Sequence, residues 1–228
     1  MIEFMHPLIN SVLNINLDFV NNIVIENPNF LVSVVEDIQK FLNKVETEAR
    51  FLENNELCKK IDKIFMITDL FTIDFNNKSL QNTLIKRLVS LLNGTEYQIN
   101  EIYQKSYEVL HRCLCDLNIS VDVVSTFDKS AFVKMFAPTI QCDYQNLLDK
   151  IVSYVNILVE LIDLKCLIVL NLYEFLSKEE CEQFFYHCKC RDVAVLVLSS
   201  RKKYAFDDEQ FLLIDEDLCE IVAKLHNI

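Results

Sequence analysis

The spacing of hydrophobic and polar positions changes repeatedly along the chain, and each change predicts a different element. From Ile2 through Phe4, Leu8, Val12, Leu13, Ile15 and Leu17 the apolar positions follow an extended-chain pattern, with Pro7 as an edge or turn signal. Asn21 and Asn22 read as a turn before a short strand, Ile23 to Ile25. Asn27 and Pro28 then read as the N-cap and first position of a helix that carries Phe30, Leu31, Val34, Val35, Ile38, Phe41, Leu42 and Val45 at helical spacing. The continuous apolar runs Ile64 to Ile67, Cys166 to Leu170 and Val193 to Leu198 have the character of strands buried on both faces. A helix from about Lys178 to Lys189 separates the last two, which predicts a parallel crossover. Phe211 to Ile214 reads as a final short strand before the acidic turn Asp215, Glu216, Asp217.

Between these segments the period is helical. One stripe runs through Leu80, Leu84, Leu88, Leu91 and Leu92, and a second through Ile102, Tyr103, Val109, Leu110, Cys113, Leu114 and Leu117. Leu147, Leu148, Ile151, Val155, Leu158, Val159 and Ile162 form a third. The pattern predicts an α/β domain built from residues 1–77 and 164–228, interrupted by a helical domain at 78–163. Gly94, the single glycine, falls where a helix would end. There is no repeat, low-complexity tract or Gly/Ser linker, so the two parts are expected to pack on each other.

Composition narrows the function. At 228 residues and 51% hydrophobic, the chain can bury a substantial core. Glu3 and the lack of Lys or Arg before the first apolar run do not suggest a secretory signal, and Glu160, Asp163 and Lys165 break the run from Val155 to Leu172 well short of a membrane span. Nine cysteines, an odd number lying mostly in apolar segments, suit a reducing compartment, so a cytoplasmic protein with no membrane contact is expected. A net charge of -12 argues against a protein that coats nucleic acid with its whole surface. Any DNA site must be a local basic patch, for which the candidates are Lys59, Lys60 and Lys63, Lys86 and Arg87, and the loop group Arg201, Lys202 and Lys203. Each alone reads as a solvated face; assembled across an oligomer they could line a channel for phosphates.

The residues that carry chemistry give little sign of catalysis. Asp69, at the end of an apolar strand, resembles the magnesium-binding strand of a nucleotide hydrolase. Phosphate cradling, however, needs a glycine-rich loop with converging amides, which a chain with one glycine cannot build. Cys181, His187, Cys188 and Cys190 lack the CxxC spacing of a zinc site, and Cys113 and Cys115 read as helix positions. None of His6, His111, His187 and His226 stands in a recognisable catalytic context, and Glu179, Glu180 and the acids from Asp207 to Glu209 fit helix starts and solvated turns. No enzyme activity is expected.

Four segments carry a family resemblance: KIFMITDLFTIDFN (Lys63 to Asn76), LIVLNLYEFLSKEE (Leu167 to Glu180), VAVLVLSS (Val193 to Ser200) and YAFDDEQFLLIDEDLCEI (Tyr204 to Ile221). Together they resemble the Csn-two family of type II-A CRISPR loci over most of the chain, in the same order. The resemblance implies a degenerate P-loop-ATPase-like α/β domain with a mainly parallel sheet, no phosphate loop and an inserted helical domain. It further implies a homotetrameric ring whose central hole takes double-stranded DNA from free ends, supported by calcium. The implied role is spacer acquisition beside the CRISPR integrase proteins and the RNA-guided effector nuclease. The family's calcium acids map to Asn118, Asp122 and Asp128. An amide at the first position keeps a hard oxygen but loses a charge, and Asp128 reads equally well as a helix N-cap. Two other readings stand beside this one: a degenerate nucleotide hydrolase or nuclease centred on Asp69, and a scaffold whose helical insertion binds partner proteins.

Overall fold

The N-terminal alternation folds into an antiparallel hairpin, β1 (Ile2–His6) and β2 (Ile9–Ile15), with Pro7 in its turn. The computed structural model describes residues 2–53, 56–58, 61–116, 119, 121 and 126–225. After the hairpin come β3 (Val20–Ile25) and α1 (Pro28–Leu42), then β4 (Arg50–Glu53), β5 (Glu56–Leu57) and a 3-10 turn, Ile61–Lys63, that leads into β6 (Ile64–Ile67). Three helices follow, α2 (Lys78–Leu91), α3 (Glu96–Cys115) and α4 (Lys129–Met135). The chain continues through α5 (Leu147–Ile162), β7 (Cys166–Leu170), α6 (Leu172–Phe175), α7 (Lys178–Cys190), β8 (Ala194–Ser199), β9 (Glu209–Ile214) and β10 (Glu220–Leu225).

Six strands form the main sheet in the order β10, β9, β3, β8, β7, β6, all parallel except the edge strand β10. The fold is therefore α/β with a mainly parallel sheet. A smaller antiparallel sheet, in the order β2, β1, β4, β5, supplies a second layer. Its Phe4, Leu13 and Phe51 join Val34 and Ile38 of α1 in one core with Ile23, Ile168 and Leu196 of the main sheet. Side chains alternate across a strand, so Leu167, Val169, Val195 and Val197 point the other way. They are buried too, with α6 and α7 packed on β8 and α5 on α7. Covering both faces explains why these strands read as unbroken apolar runs.

Asn21 and Asn22 depart from the expected turn: both lie inside β3 and are buried. Asparagine favours turns because its amide bonds nearby backbone, and here that demand is met within the sheet. Asn21 Nδ2 donates to the carbonyls of Asn16, Phe19 and Val195 at 2.9, 3.0 and 2.8 Å, and its Oδ1 accepts from Gln210 Nε2 at 2.6 Å. The pattern also gave no sign of β4, although Phe51 is its anchor, with ring centroids 5.1 Å from Phe4 and 5.2 Å from Phe41.

The chain divides into two compact units, residues 1–74 with 142–228, and residues 75–141. Helix α5 lies in the first, where it buries Ile151, Val155 and Leu158 and packs on α7. Within the second unit α2 packs on α4. Asn77 caps α2 by accepting from the Ser79 and Leu80 amides, and Asn76 exchanges two hydrogen bonds with the Ile140 backbone. Phe127 links α3 to α4, its ring 5.6 Å from Tyr103 and 5.5 Å from Phe132. Gly94 sits after α2 at φ 91°, in the left-handed region that glycine enters without strain. Among the described residues no helix is long and apolar enough to cross a membrane.

Candidate nucleic-acid interface

The basic residues singled out by sequence differ sharply in what holds them. Lys63 ends the 3-10 turn, and its carbonyl accepts from the Lys165 amide at 2.8 Å, which brings the start of β7 beside it. Between the Lys63 and Lys165 side chains stands Asp163, the left-handed C-cap of α5 at φ 54°. Its carboxylate takes an ion pair from Lys63 and a second from Lys165 at 3.0 Å. The hydrogen bond from Lys63, followed by that from Lys165, lowers the Asp163 pKa to about 2. Two ammoniums sharing one carboxylate leave one net positive charge. These ion pairs are open to solvent and worth little in water, so an arriving phosphate oxygen can displace the carboxylate. Lys165 and Asp163 are the additions the structure makes. In sequence they are visible only as charges that interrupt an apolar run.

Lys59 and Lys60 lie outside the described residues. Lys86 and Arg87 are exposed on α2, in the helical unit. The group after β8 is committed to the fold. Arg201 makes a two-point contact with Glu174 at 2.9 and 2.5 Å, holding that carboxyl below its usual pKa, and Lys203 Nζ donates to the Tyr173 carbonyl at 2.5 Å. Lys202 pairs with Glu209 at 3.1 Å and stands 3.3 Å from the centroid of the Phe211 ring.

That last contact belongs to a buried polar cluster. Glu209 is 0% exposed; beyond Lys202 it accepts from Asn22 Nδ2 at 2.5 Å, and Tyr173 donates its hydroxyl to Asn22 Oδ1. Burial pushes the Tyr173 hydroxyl well above its ordinary pKa, so it remains a donor. Such a cluster is a hydrogen-bonded lock between β3, β9 and the loop before β9. In sequence Glu209 looked like one more surface acid.

Of the calcium positions, Asn118 and Asp122 lie outside the described residues. Asp128 is the N-cap of α4: its Oδ1 accepts from the Ser130 amide at 2.8 Å. The carboxylate supplies the hard oxygen that calcium takes, with one oxygen already engaged as a cap. Among the described residues no group of three His, Cys, Asp or Glu side chains is placed to hold a metal. Cys181 and Cys188 turn into the core, and burial raises the Cys181 thiol to about 12. His187 bonds Asn156 at 3.1 Å, and burial, then Arg191, lowers its pKa.

Asp69 and the junction between β3 and α1 both have local structural work. Asp69 Oδ1 accepts from the Phe71 amide at 2.8 Å and shapes its own turn. Only Glu26 and Asn27 separate β3 from α1. Asn27 Oδ1 accepts the Phe30 amide at 3.1 Å, and Pro28 has no amide hydrogen to offer. The helix start where an anion would sit is thus capped by its own side chain.

A mainly parallel α/β sheet unit whose sequence is interrupted by a helical unit, with exposed cations on both, defines the class of protein. The family described as CRISPR-associated protein (Cas_Csn2) matches residues 20–218, and the chain belongs to that family. A comparison with curated proteins returned no match. Among solved structures the chain is similar to an ABC transporter ATP-binding protein from Pyrococcus furiosus. The TM-score is 0.42 and the identity 9%, over 92% of this chain and 96% of that one, too low a likeness to carry an argument.

Proposed function

We propose that this chain is a non-catalytic duplex-DNA-binding protein of CRISPR spacer acquisition that works in the cytoplasm as a homotetrameric ring. Membership of a CRISPR-associated family over residues 20–218 carries the reading. Three features support it. The self-capped start of α1 and the turn-forming role of Asp69 favour a binding protein over a nucleotide hydrolase. The Lys63, Asp163, Lys165 group offers a net positive, solvent-facing contact for phosphate, to which Lys59 and Lys60 of the same segment add charge; Lys86 and Arg87 of α2 are a second, separate candidate on the helical unit. Third, α3 exposes an apolar stripe, Ile102, Val109 and Leu110, that self-association would cover.

Calcium fits the proposal through hard oxygen donors: Asn118, Asp122 and Asp128 would hold it, and it would supply positive charge that ties the segment before α4 in place. The integrase proteins and the RNA-guided effector nuclease are the proposed partners. A strongly acidic chain with a local basic site predicts binding confined to that site and steeply weakened by salt.

The test compares linear with covalently closed circular duplex of one sequence, with calcium or a chelator, while subunit stoichiometry is measured. Linear DNA bound by a tetramer, with closed circles excluded, is expected. Equal binding to closed circles sinks end-threading, and a monomer under every condition sinks the ring. Replacing Lys59, Lys60 and Lys63 with Glu should abolish duplex binding and leave the oligomer intact. A stable partner-protein complex with no gel shift would favour the scaffold instead, and DNA cleavage with magnesium lost in Asp69→Asn would restore the enzyme.

A further inference from the structure

Near the end of α3, His111 and Cys115 stand one turn apart, both exposed, with Sγ and Nδ1 separated by 3.7 Å. Residues four apart share a helix face, so the backbone itself holds the two donors together. In a tetrahedral zinc site, with Zn–S near 2.3 Å and Zn–N near 2.05 Å, the sulfur and nitrogen of two ligands lie about 3.6 Å apart. The observed spacing is therefore already that of a chelating pair.

The surroundings favour a cation. Cys115 closes the last turn of a 20-residue helix, the negative end of its dipole, and His111 stands just before that turn. Arg112, the basic residue of that turn, directs Nε back to the Glu108 carbonyl at 3.3 Å. His111 lines a shallow cleft with Tyr107, Glu108 and Arg112, and the Tyr107 ring lies 6.0 Å from the imidazole.

We propose that His111 and Cys115 form an open site for a thiophilic divalent cation, zinc above all, bound by Cys115 Sγ and His111 Nδ1 with water at the remaining positions. Its donors differ in kind from the oxygen donors considered for calcium, since thiolate and imidazole select zinc and not a hard ion. Binding replaces the S–H bond of Cys115 by an S–Zn bond and releases that proton to solvent. The inference stands whether or not the chain binds DNA.

The experiment uses the full chain, freed of metal with a chelator and kept reduced, and titrates it with cobalt(II) as a spectroscopic stand-in for zinc. One cobalt per chain is expected at this site, with a near-ultraviolet thiolate-to-metal band, release of about one proton and displacement by zinc. Cys115→Ser and His111→Ala should each lose the band. Cys113→Ser, two residues away and so turned to another helix face, should keep it. Because all three side chains are exposed, folding should survive, which circular dichroism checks. No band in the parent chain overturns the proposal. So does a band that persists in Cys115→Ser or His111→Ala, or one lost equally in Cys113→Ser.

Discussion

The two compact units of this chain dispose of their apolar residues in opposite ways. In the sheet unit every residue of β8 is buried, and both sheet faces are covered by elements of that unit. In the helical unit α2 buries only Leu80 and α4 only Val133, while Leu91, Ile102, Val109, Leu110, Met135 and Phe136 are exposed. Around α2 and α4 an apolar cleft lined by Leu88, Leu92, Phe132 and Pro138 stays open. The sheet unit covers its central strands from within and leaves apolar side chains such as Leu8, Phe71 and Phe175 exposed only outside that core; the helical unit leaves most of the apolar positions of its helices at least partly uncovered, surface of the kind that association removes from water.

The sharpest way to break this contrast is in the sheet. Leu196→Ala, at a fully buried position of β8, should cost about 2–5 kcal/mol in a denaturant titration. A smaller loss would mean the sheet core is less tightly packed than the burial implies. Glu209→Ala should cost about 2–3 kcal/mol, below the full range for a broken buried pair, because the Lys202 side chain is 25% exposed and regains water. Stability equal to the parent would show that the buried lock is not needed to hold β9 on β3.

The helical unit should respond differently. Joint replacement of Ile102 and Leu110 by Asp should cost the monomer no more than about 1 kcal/mol, as for two exposed positions, while lowering the mass in light scattering. An unchanged mass would remove these two residues from any self-contact. The smallest effect belongs to Asp163. Its folded pKa is about 2 against an ordinary 3.8, so the stabilisation is complete above pH 3.8 and fades as pH falls toward 2. Lys63→Ala should move the Asp163 carboxyl titration upward when followed by NMR, and no movement would show that the pairing is not held in solution.

The strands and helices were legible where one period held over a whole element. Runs such as Ile64 to Ile67 and Cys166 to Leu170 revealed a two-faced sheet, and Asn27 with Pro28 marked the start of α1 to the residue. β4 escaped notice because four residues hold too few alternations, and its burial depends on Phe4 and Phe41 from distant segments. The basic candidates were visible only as letters. The sequence shows that Lys63 and Arg201 are cations, but not that one shares a carboxylate at the surface while the other is committed to Glu174.

By itself, then, the sequence determined the α/β class, the helical interruption and the lack of a glycine-rich phosphate loop, because these depend on local period and on which residues are present at all. Only the tertiary structure decided that Asn21 and Asn22 are buried sheet residues and Glu209 a buried acid, and that α5 packs on α7 and belongs to the sheet unit. It also decided that Lys63 and Lys165 converge on Asp163. Burial and charge pairing are set by what arrives from elsewhere in the chain, and periodicity carries no record of that.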